Sequence, residues 1–198
     1  MIRRALIAAL VALVLSTSGV AAATTVIDAH DFTFTPNAPK LAVGDTAQWH
    51  NSSFNVHDMT PNAPSVWPAS GGTMQAGKSM AMAMTHAGSY PYRCVIHSGQ
   101  NMEGTVKVKM SSSPTSGTTS TNFNIRVATV NAGPSRTQDV QRRKHNGTWK
   151  AWLSTTSQLV IFNPASSETG TWEFRSRYHN TSNGEMTGWS PTLTIVVN

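Results

Sequence analysis

Cysteine, charge and long apolar runs are all scarce in this sequence, and each shortage excludes a class of protein. One Cys in 198 residues excludes an intrachain disulfide framework and any cluster of several thiolates. Charged residues make up only 12% of the chain, too few for a long solvated helix or coiled coil. The apolar run Ala5–Leu15 has eleven residues, far short of the roughly 20 that a membrane-spanning helix needs. We therefore expect no membrane span in the mature chain.

A sustained apolar period of 3.6 residues is also missing, so we expect almost no helix. Gly, Pro, Ser, Thr and Asn recur between short segments of alternating apolar and polar residues, which is typical of strands joined by turns. The sequence thus predicts an all-β protein. The predicted strands are Thr25–Ile27, Asp31–Thr35, Thr46–His50, Ser79–Thr85, Ser89–Cys94, Gly104–Met110, Asn122–Val130, Asp139–Lys144, Thr148–Leu153, Gln158–Phe162, Thr171–His179 and Pro191–Val197.

Residues 1–23 have the features of a secretory signal peptide. Arg3 and Arg4 give the positive start, the apolar run Ala5–Leu15 follows, and Ala21-Ala22-Ala23 fits a small-residue cleavage site. We expect the mature chain to begin near Thr24 and to be exported to the periplasm or the extracellular space. A lone thiol is unusual in such a compartment, where cysteines tend to pair. Cys94 therefore forms an intermolecular disulfide, is buried and inert, or is bound to something.

The composition also predicts how the mature chain is divided. Residues 111–121 contain only Ser, Thr, Pro and Gly, which is typical of a flexible linker. This linker separates residues 24–110, with five basic and five acidic side chains, from residues 122–198, with eight basic and four acidic ones. The basic excess is small and scattered, so we do not expect nucleic-acid binding. We expect a monomer.

The residues that carry chemistry lie at the end of one predicted strand. Cys94, His97 and Met102 form a C-x2-H-x4-M pattern, and period 2 places Cys94 on the inward face of its strand. An upstream loop carries His57, whose imidazole would complete two nitrogens, one thiolate and one thioether. That ligand set is typical of a blue-copper electron-transfer site, whereas zinc prefers closed sets without Met. Four filled positions leave none open for a substrate, so the pattern does not indicate metal-ion catalysis.

Residues 26–109 resemble the plastocyanin/pseudoazurin group of cupredoxins. The resemblance implies a Greek-key β-sandwich that holds one type 1 copper through His57, Cys94, His97 and Met102. It also implies that His97 is the ligand near solvent, at an apolar patch where redox partner proteins dock. The stretches that carry the resemblance are Phe34–Pro36, Leu41–Asn51, His57, Gly77–Ser79, His86–Cys94, His97 and Met102–Val108.

Two positions bear on that assignment. Asp58 follows His57 where the family often has a neutral side chain, and a carboxylate that points inward there would lower the reduction potential. His50 is the alternative to His57 as a ligand, although its place at a strand end favours a surface role.

Met80, Met82 and Met84 share one strand face by period 2, which favours core packing over copper storage.

Residues 122–198 resemble a fibronectin type III domain, which implies an immunoglobulin-like β-sandwich. Such a module binds or positions a partner rather than catalysing a reaction, and its ligand would be a protein or a carbohydrate. The stretches that carry this resemblance are Asp139–Trp152, Gly170–Tyr178 and Gly188–Pro191. Its arginines form either a basic face or a solvated strand face whose stems cover Trp rings; they are Arg142, Arg143, Arg175 and Arg177.

The sequence therefore predicts an exported, non-enzymatic electron carrier that cycles one copper ion between Cu(I) and Cu(II). Two alternatives stay open at this point. A copper carrier or chaperone would hand on the ion itself, and the surplus of Met and His favours it. A non-redox extracellular adhesion protein of two sandwiches would contain an inert Cys94 and no metal.

Overall fold

A computed structural model describes residues 21–69 and 71–198. The predicted signal peptide, residues 1–23, lies outside the described residues except for its last three. The described part is almost entirely β-structure, as predicted, and its helical elements are two single 3-10 turns at Pro64–Val66 and Ser98–Gln100. No helix in this part of the chain is long and apolar enough to span a membrane.

Within the described residues, the first half of the chain forms nine strands in two sheets that face each other. One sheet has the order β2-β1-β4-β7, in which β1 and β4 run parallel, and the other has the order β3-β9-β8-β5-β6. The strands are β1 Thr24–His30, β2 Thr33–Thr35, β3 Lys40–Ala42, β4 Thr46–Asn51, β5 His57–Pro61, β6 Gly72–Met74, β7 Ser79–Ala83, β8 Gly88–Arg93 and β9 Glu103–Lys109.

Alternation along β4 and β8 fills the core of this first sandwich and determines where the site lies. Trp49 on β4 and Tyr90 and Tyr92 on β8 point inward and are almost completely buried. The same alternation turns the side chain of Asn51, at the end of β4, towards the interior. It does the same for Cys94, the first residue after β8. Core packing therefore delivers these two side chains to one end of the sandwich. Met82 on β7 and Met84 just after it lie in the core, and Met80 packs against it, as predicted.

The second half of the chain forms a second pair of sheets. The orders are β10-β12-β15 and β11-β17-β16-β13-β14. The strands are β10 Ser111–Ser113, β11 Ser116–Gly117, β12 Phe123–Arg126, β13 Arg136–Lys144, β14 Lys150–Thr155, β15 Leu159–Phe162, β16 Gly170–Asn180 and β17 Leu193–Val197.

The prediction of a flexible linker at residues 111–121 is wrong. Ser111–Ser113 pairs antiparallel with β12, and Ser116–Gly117 pairs parallel with β17, so this segment supplies an edge strand to each sheet of the second sandwich. The prediction failed because it considered only side chains. Ser and Thr cannot build a core, but their backbone N–H and C=O groups pair with a neighbouring strand as well as any others do.

The arginines of the second sandwich cover indole rings. Arg175 lies 4.4 Å from the Trp149 ring centre and 4.7 Å from that of Trp189, and Arg143 lies over Trp149 at 4.3 Å. Arg142 points to the other side of its sheet, 4.9 Å from the Trp172 ring centre. The structure thus favours the second of the two interpretations of these arginines, stems and guanidinium groups packed on Trp.

The two sandwiches meet at the corner between β7 and β8. His86 forms a β-bridge with Ala128, and Ser89 forms one with Gly188. A Cβ on Gly88 would come within 2.4 Å of the Thr187 hydroxyl oxygen, so the second sandwich approaches too closely there for any other residue. The buried apolar residues form one cluster that continues from the first sandwich into the second.

Candidate metal centre

Three potential ligands converge at the end of the first sandwich. His57 begins β5, Cys94 follows β8, and His97 lies in the loop between β8 and β9. One ligating atom from each lies within 4.8 Å of the other two. The Cys94 Sγ is 4.0 Å from His57 Nδ1 and 3.5 Å from His97 Nδ1. His57 and Cys94 are buried, whereas His97 is half-buried.

The loop after Cys94 returns the chain to its starting point. The Cys94 backbone N–H donates to the Met102 carbonyl oxygen at 2.9 Å, and Asn101 takes a left-handed conformation just before Met102. Asn tolerates that conformation better than most residues do. Met102 is consequently buried in the same cluster as Cys94, directly before the start of β9.

A serine fixes the orientation of the His57 ring. Its Nε2 lies 2.8 Å from the Ser53 hydroxyl, which in turn donates to the Asn51 side-chain oxygen at 3.0 Å. Asn51 is itself held, because its amide nitrogen donates to the carbonyl oxygens of Asn55 and Met74. With Nε2 occupied in this way, the Nδ1 lone pair of the neutral ring faces the sulfur. Burial and the nearby His97 keep the pKa of His57 below its ordinary value, which favours the neutral form.

Asp58 points inward and connects the site to the ligand loop. Its backbone N–H lies 3.5 Å from the Cys94 Sγ, and its Oδ1 accepts hydrogen bonds from the amides of Val95 and Ile96 at 2.8 and 3.2 Å. The Cys94 thiol also donates to Oδ1, at 3.0 Å, and Thr60 donates to Oδ2. Burial by itself would raise the pKa of Asp58, but these donated hydrogen bonds outweigh it and lower the pKa.

The metal-free sulfur carries its proton. Burial raises the pKa of the Cys94 thiol, and the nearby Asp58 carboxylate acts in the same direction. A cation at this position would replace that proton, since the thiolate rather than the thiol is the metal ligand.

The donor set and its supports fit a copper ion. A soft sulfur and two imidazole nitrogens converge, one imidazole is locked in the ligating orientation, and a buried thioether-bearing residue lies beside the Cys backbone. Soft sulfur and imidazole together favour copper over Mg, Ca or Mn, which prefer oxygen. The four residues form the arrangement of a type 1 copper site.

Comparisons with known proteins agree with this chemistry. Residues 21–109 match the family profile described as copper binding proteins, plastocyanin/azurin family. This part of the chain is a plastocyanin/azurin-family copper-binding domain. Its cofactor is copper, as the sequence predicts.

Solved cupredoxin structures resemble the same part of the chain. A reduced amicyanin variant is 27% identical over 45% of this chain and 83% of its own length, with a TM-score of 0.39. A Cu(I) form of another amicyanin variant is 28% identical over 46% of this chain and 86% of its own, with a TM-score of 0.40. A variant plastocyanin of fern is 20% identical over 43% of this chain and 100% of its own, with a TM-score of 0.39. No curated protein matches the chain.

The alternative ligand lies elsewhere in the cupredoxin domain. The His50 ring is directed to the outer side of β4, where its Nδ1 lies 2.9 Å from the Ser79 hydroxyl. Sequence reasoning missed Ser53 and Asn51 as supports of His57. Ser53 lies four residues before His57, and only the folded loop shows that its hydroxyl reaches the ring.

Exposed apolar side chains on the segments next to the ligands form what we call the apolar rim: Phe32, Phe54, Val95 and Ile96. The Phe32 ring meets His97 edge to face at 5.0 Å, and Phe54 in the loop before His57 is fully exposed. Val95 and Ile96, next to His97 in the chain, are also nearly half exposed.

Proposed function

We propose that this protein carries single electrons between redox partners, with one copper ion held by His57, Cys94, His97 and Met102. The observation that carries the proposal is the convergence of the His57 and His97 Nδ1 atoms on the Cys94 sulfur in a plastocyanin/azurin-family domain. Bound copper would supply a one-electron Cu(I)/Cu(II) couple.

The chain's own residues keep the ligands from moving when the charge at the site changes. Ser53 holds the His57 ring, and the amides of Val95 and Ile96 hold the ligand loop against Asp58 on β5. Ligands fixed in advance need little rearrangement between two oxidation states, and low rearrangement favours fast electron transfer. The Met102 thioether would be the fourth ligand and would tune the reduction potential.

The apolar rim is the proposed docking surface for redox partner proteins. Phe32, Phe54, Val95 and Ile96 are exposed around His97, the ligand that is nearest to solvent. A partner seated there would lie against the imidazole edge, which shortens the path between the two redox centres. Nothing in this role requires a substrate site, in keeping with a carrier rather than an enzyme.

Export and a positioning role for the second sandwich complete the proposal. The features of residues 1–23 support export to the periplasm or the extracellular space. The strand orders β10-β12-β15 and β11-β17-β16-β13-β14 support a fibronectin III-like sandwich, which would bind a protein or a carbohydrate.

Copper loading tests the function directly. We expect the purified protein to turn intensely blue with one equivalent of Cu(II), to bleach reversibly on reduction, and to keep its copper against a chelator. Rapid loss of copper to the chelator would favour the copper carrier, and a colourless protein without stoichiometric metal would favour the adhesion protein. Met102→Leu should keep the colour and raise the potential, because a donor to Cu(II) is removed; an unchanged potential would exclude Met102 as a ligand.

A further inference from the structure

The strand β15 forms one edge of the sheet β10-β12-β15 in the second sandwich, and within the described residues β12 is its only neighbour. Val160 and Phe162 point into the core and are buried. Leu159 and Ile161 alternate with them and point outward, with 44% and 53% of their surface exposed. An edge strand with large apolar side chains on its solvent face is a template for pairing with another strand.

The open hydrogen-bonding groups of β15 belong to the same two exposed residues. The Gln158 carbonyl oxygen accepts from the Val127 amide at 2.9 Å, and the register between β12 and β15 repeats this bonded pairing at every second residue. The residues in between, Leu159 and Ile161, therefore turn their N–H and C=O groups to the open edge. Among the described residues, no backbone hydrogen bond from outside the sheet reaches these groups.

The other sheet edges of the described chain are protected against pairing. Five edge strands, β2, β3, β6, β10 and β11, have three residues or fewer, and β14 begins with Lys150. The remaining edge strand, β7, exposes only the small side chains of Ser79, Ala81 and Ala83. Short strands and charges are common ways to keep an edge from pairing. On β15 the charge is missing, because no charged residue lies between Lys150 and Glu168.

A second copy of β15 fits this edge. When two copies run antiparallel about a two-fold axis at Val160, Leu159 of each copy lies opposite Ile161 of the other, and these residues can exchange both of their hydrogen bonds. The outward faces then lie on the same side of the joined sheet, so four apolar side chains become neighbours and lose exposed surface. The absence of charge matters here, because a charged strand that pairs with itself brings like charges together.

We propose that two copies of this protein associate through β15 and form a six-stranded sheet with the order β10-β12-β15-β15-β12-β10. One short strand makes a small contact, so the dimer is weak and depends on concentration. The contact lies in the second sandwich, which meets the first at the start of β8, whereas the metal ligands and the apolar rim lie beyond the end of β8. The dimer therefore brings two metal centres into one assembly and keeps both apolar rims free.

Analytical ultracentrifugation of the copper-loaded full chain tests the association. We expect the average mass to rise from one chain at micromolar concentration to two chains at millimolar concentration. Amide hydrogen exchange locates the contact. At the higher concentration the amides of Leu159 and Ile161 should exchange roughly tenfold more slowly, since pairing covers them most of the time. The amides of Ser79 and Ala81, which face the open edge of β7, should exchange at an unchanged rate.

Two variants of Ile161 separate the edge from the fold. Ile161→Pro removes an N–H that faces the open edge and leaves the hydrogen bonds to β12 in place, so it should fold, bind copper and stay monomeric. Ile161→Lys keeps that N–H and adds a charge on the outward face, and it should stay monomeric too. The matched control is Val26→Lys, which changes a side chain on β1 that is 51% exposed and should dimerise as the unchanged protein does.

Four results would overturn the proposal. The first is the mass of a single chain at millimolar concentration. The second is a dimer in which the Leu159 and Ile161 amides exchange at the monomer's rate, since its contact would lie elsewhere. The third is dimerisation of both Ile161 variants with the Kd of the unchanged protein. The fourth is loss of the dimer in Val26→Lys, which would indicate a general effect of added charge. Because none of these measurements depends on the oxidation state of the metal, their failure leaves the proposed electron transfer untouched.

Discussion

His57 and His86 are both buried imidazoles of the first sandwich, yet they are prepared for different chemistry. A hydroxyl anchors each ring through one nitrogen, Ser53 on Nε2 of His57 and Thr85 on Nδ1 of His86. The nitrogen that remains faces the Cys94 sulfur in the first case and has no hydrogen-bond partner among the described residues in the second.

The comparison shows that burial by itself does not make a histidine a metal ligand. Burial lowers the pKa of both rings and leaves both neutral. What differs is the set of groups around the remaining nitrogen. His57 is accompanied by a thiol and a second imidazole, which bind a soft cation, whereas the His86 ring stacks on Tyr178 and its Nε2 is buried without a hydrogen-bond partner among the described residues.

Replacing the sulfur removes the feature that distinguishes the two histidines and should have the largest effect. Cys94→Ala leaves two imidazoles without a thiolate, so we expect complete loss of the intense blue absorption and an ordinary tetragonal Cu(II) signal in paramagnetic resonance. His86→Gln is the matched control and should remain blue. A Cys94→Ala protein that is still blue would remove Cys94 from the site.

Acidification should act on His86 through stability. Its folded pKa of about 4 lies below the unfolded value of 6.5, so the unfolded chain binds more protons between these pH values. The free energy of unfolding should therefore fall as the pH drops through this window, by on the order of 3 kcal/mol from His86, and the loss should level off below pH 4.

Denaturant unfolding at several pH values measures this loss. It compares the unchanged protein with His86→Gln and with the control His50→Gln, whose ring lies on the outer side of β4. The slope with pH should flatten in His86→Gln and persist in His50→Gln. Equal slopes in all three proteins would show that His86 is not the group responsible.

Loosening the anchor of His57 should weaken metal binding without destroying the site. Ser53→Ala removes the hydroxyl that holds Nε2, and such outer partners of metal-bound histidines typically account for about 10- to 100-fold in affinity. Competition with a chelator measures the change. Ser52→Ala removes a neighbouring hydroxyl that bonds Asp28 instead, and it should bind copper as the unchanged protein does. Equal affinities in the two variants would show that Ser53 does not position the ring.

Neutralising Asp58 should produce the smallest of these effects. Asp58→Asn keeps an oxygen for the Val95 and Ile96 amides but removes a negative charge beside the sulfur. That negative charge stabilises the more positive oxidised site, so its loss favours the reduced site. We expect the reduction potential to rise by on the order of 60 mV, a tenfold change for a one-electron couple. Asp45→Asn, at the opposite end of β4, should leave the potential unchanged; a drop in Asp58→Asn would reverse the assigned sign.

Much of the cupredoxin domain follows from local patterns in the chain. Alternation on β8 predicts that Tyr90, Tyr92 and Cys94 point inward, and the structure confirms their burial. The C-x2-H-x4-M spacing is short enough for one loop to return His97 and Met102 towards the sulfur. Composition was a poor guide at residues 111–121, because strand pairing there depends on backbone groups that every residue possesses.

The identity of the donors, and hence the preference for copper, was determined by the sequence alone, since a thiolate, two imidazoles and a thioether together are typical of copper, whereas zinc prefers closed Cys/His sets without Met. The tertiary structure decided which histidine meets the sulfur and which does not. His50, His57 and His86 are the same side chain at three points in the chain, and only the packing of β4, β5 and the β7–β8 corner determines what faces each ring. Contacts between residues far apart in the sequence leave no local pattern, so the anchoring serine and the inward carboxylate became visible only in the folded molecule.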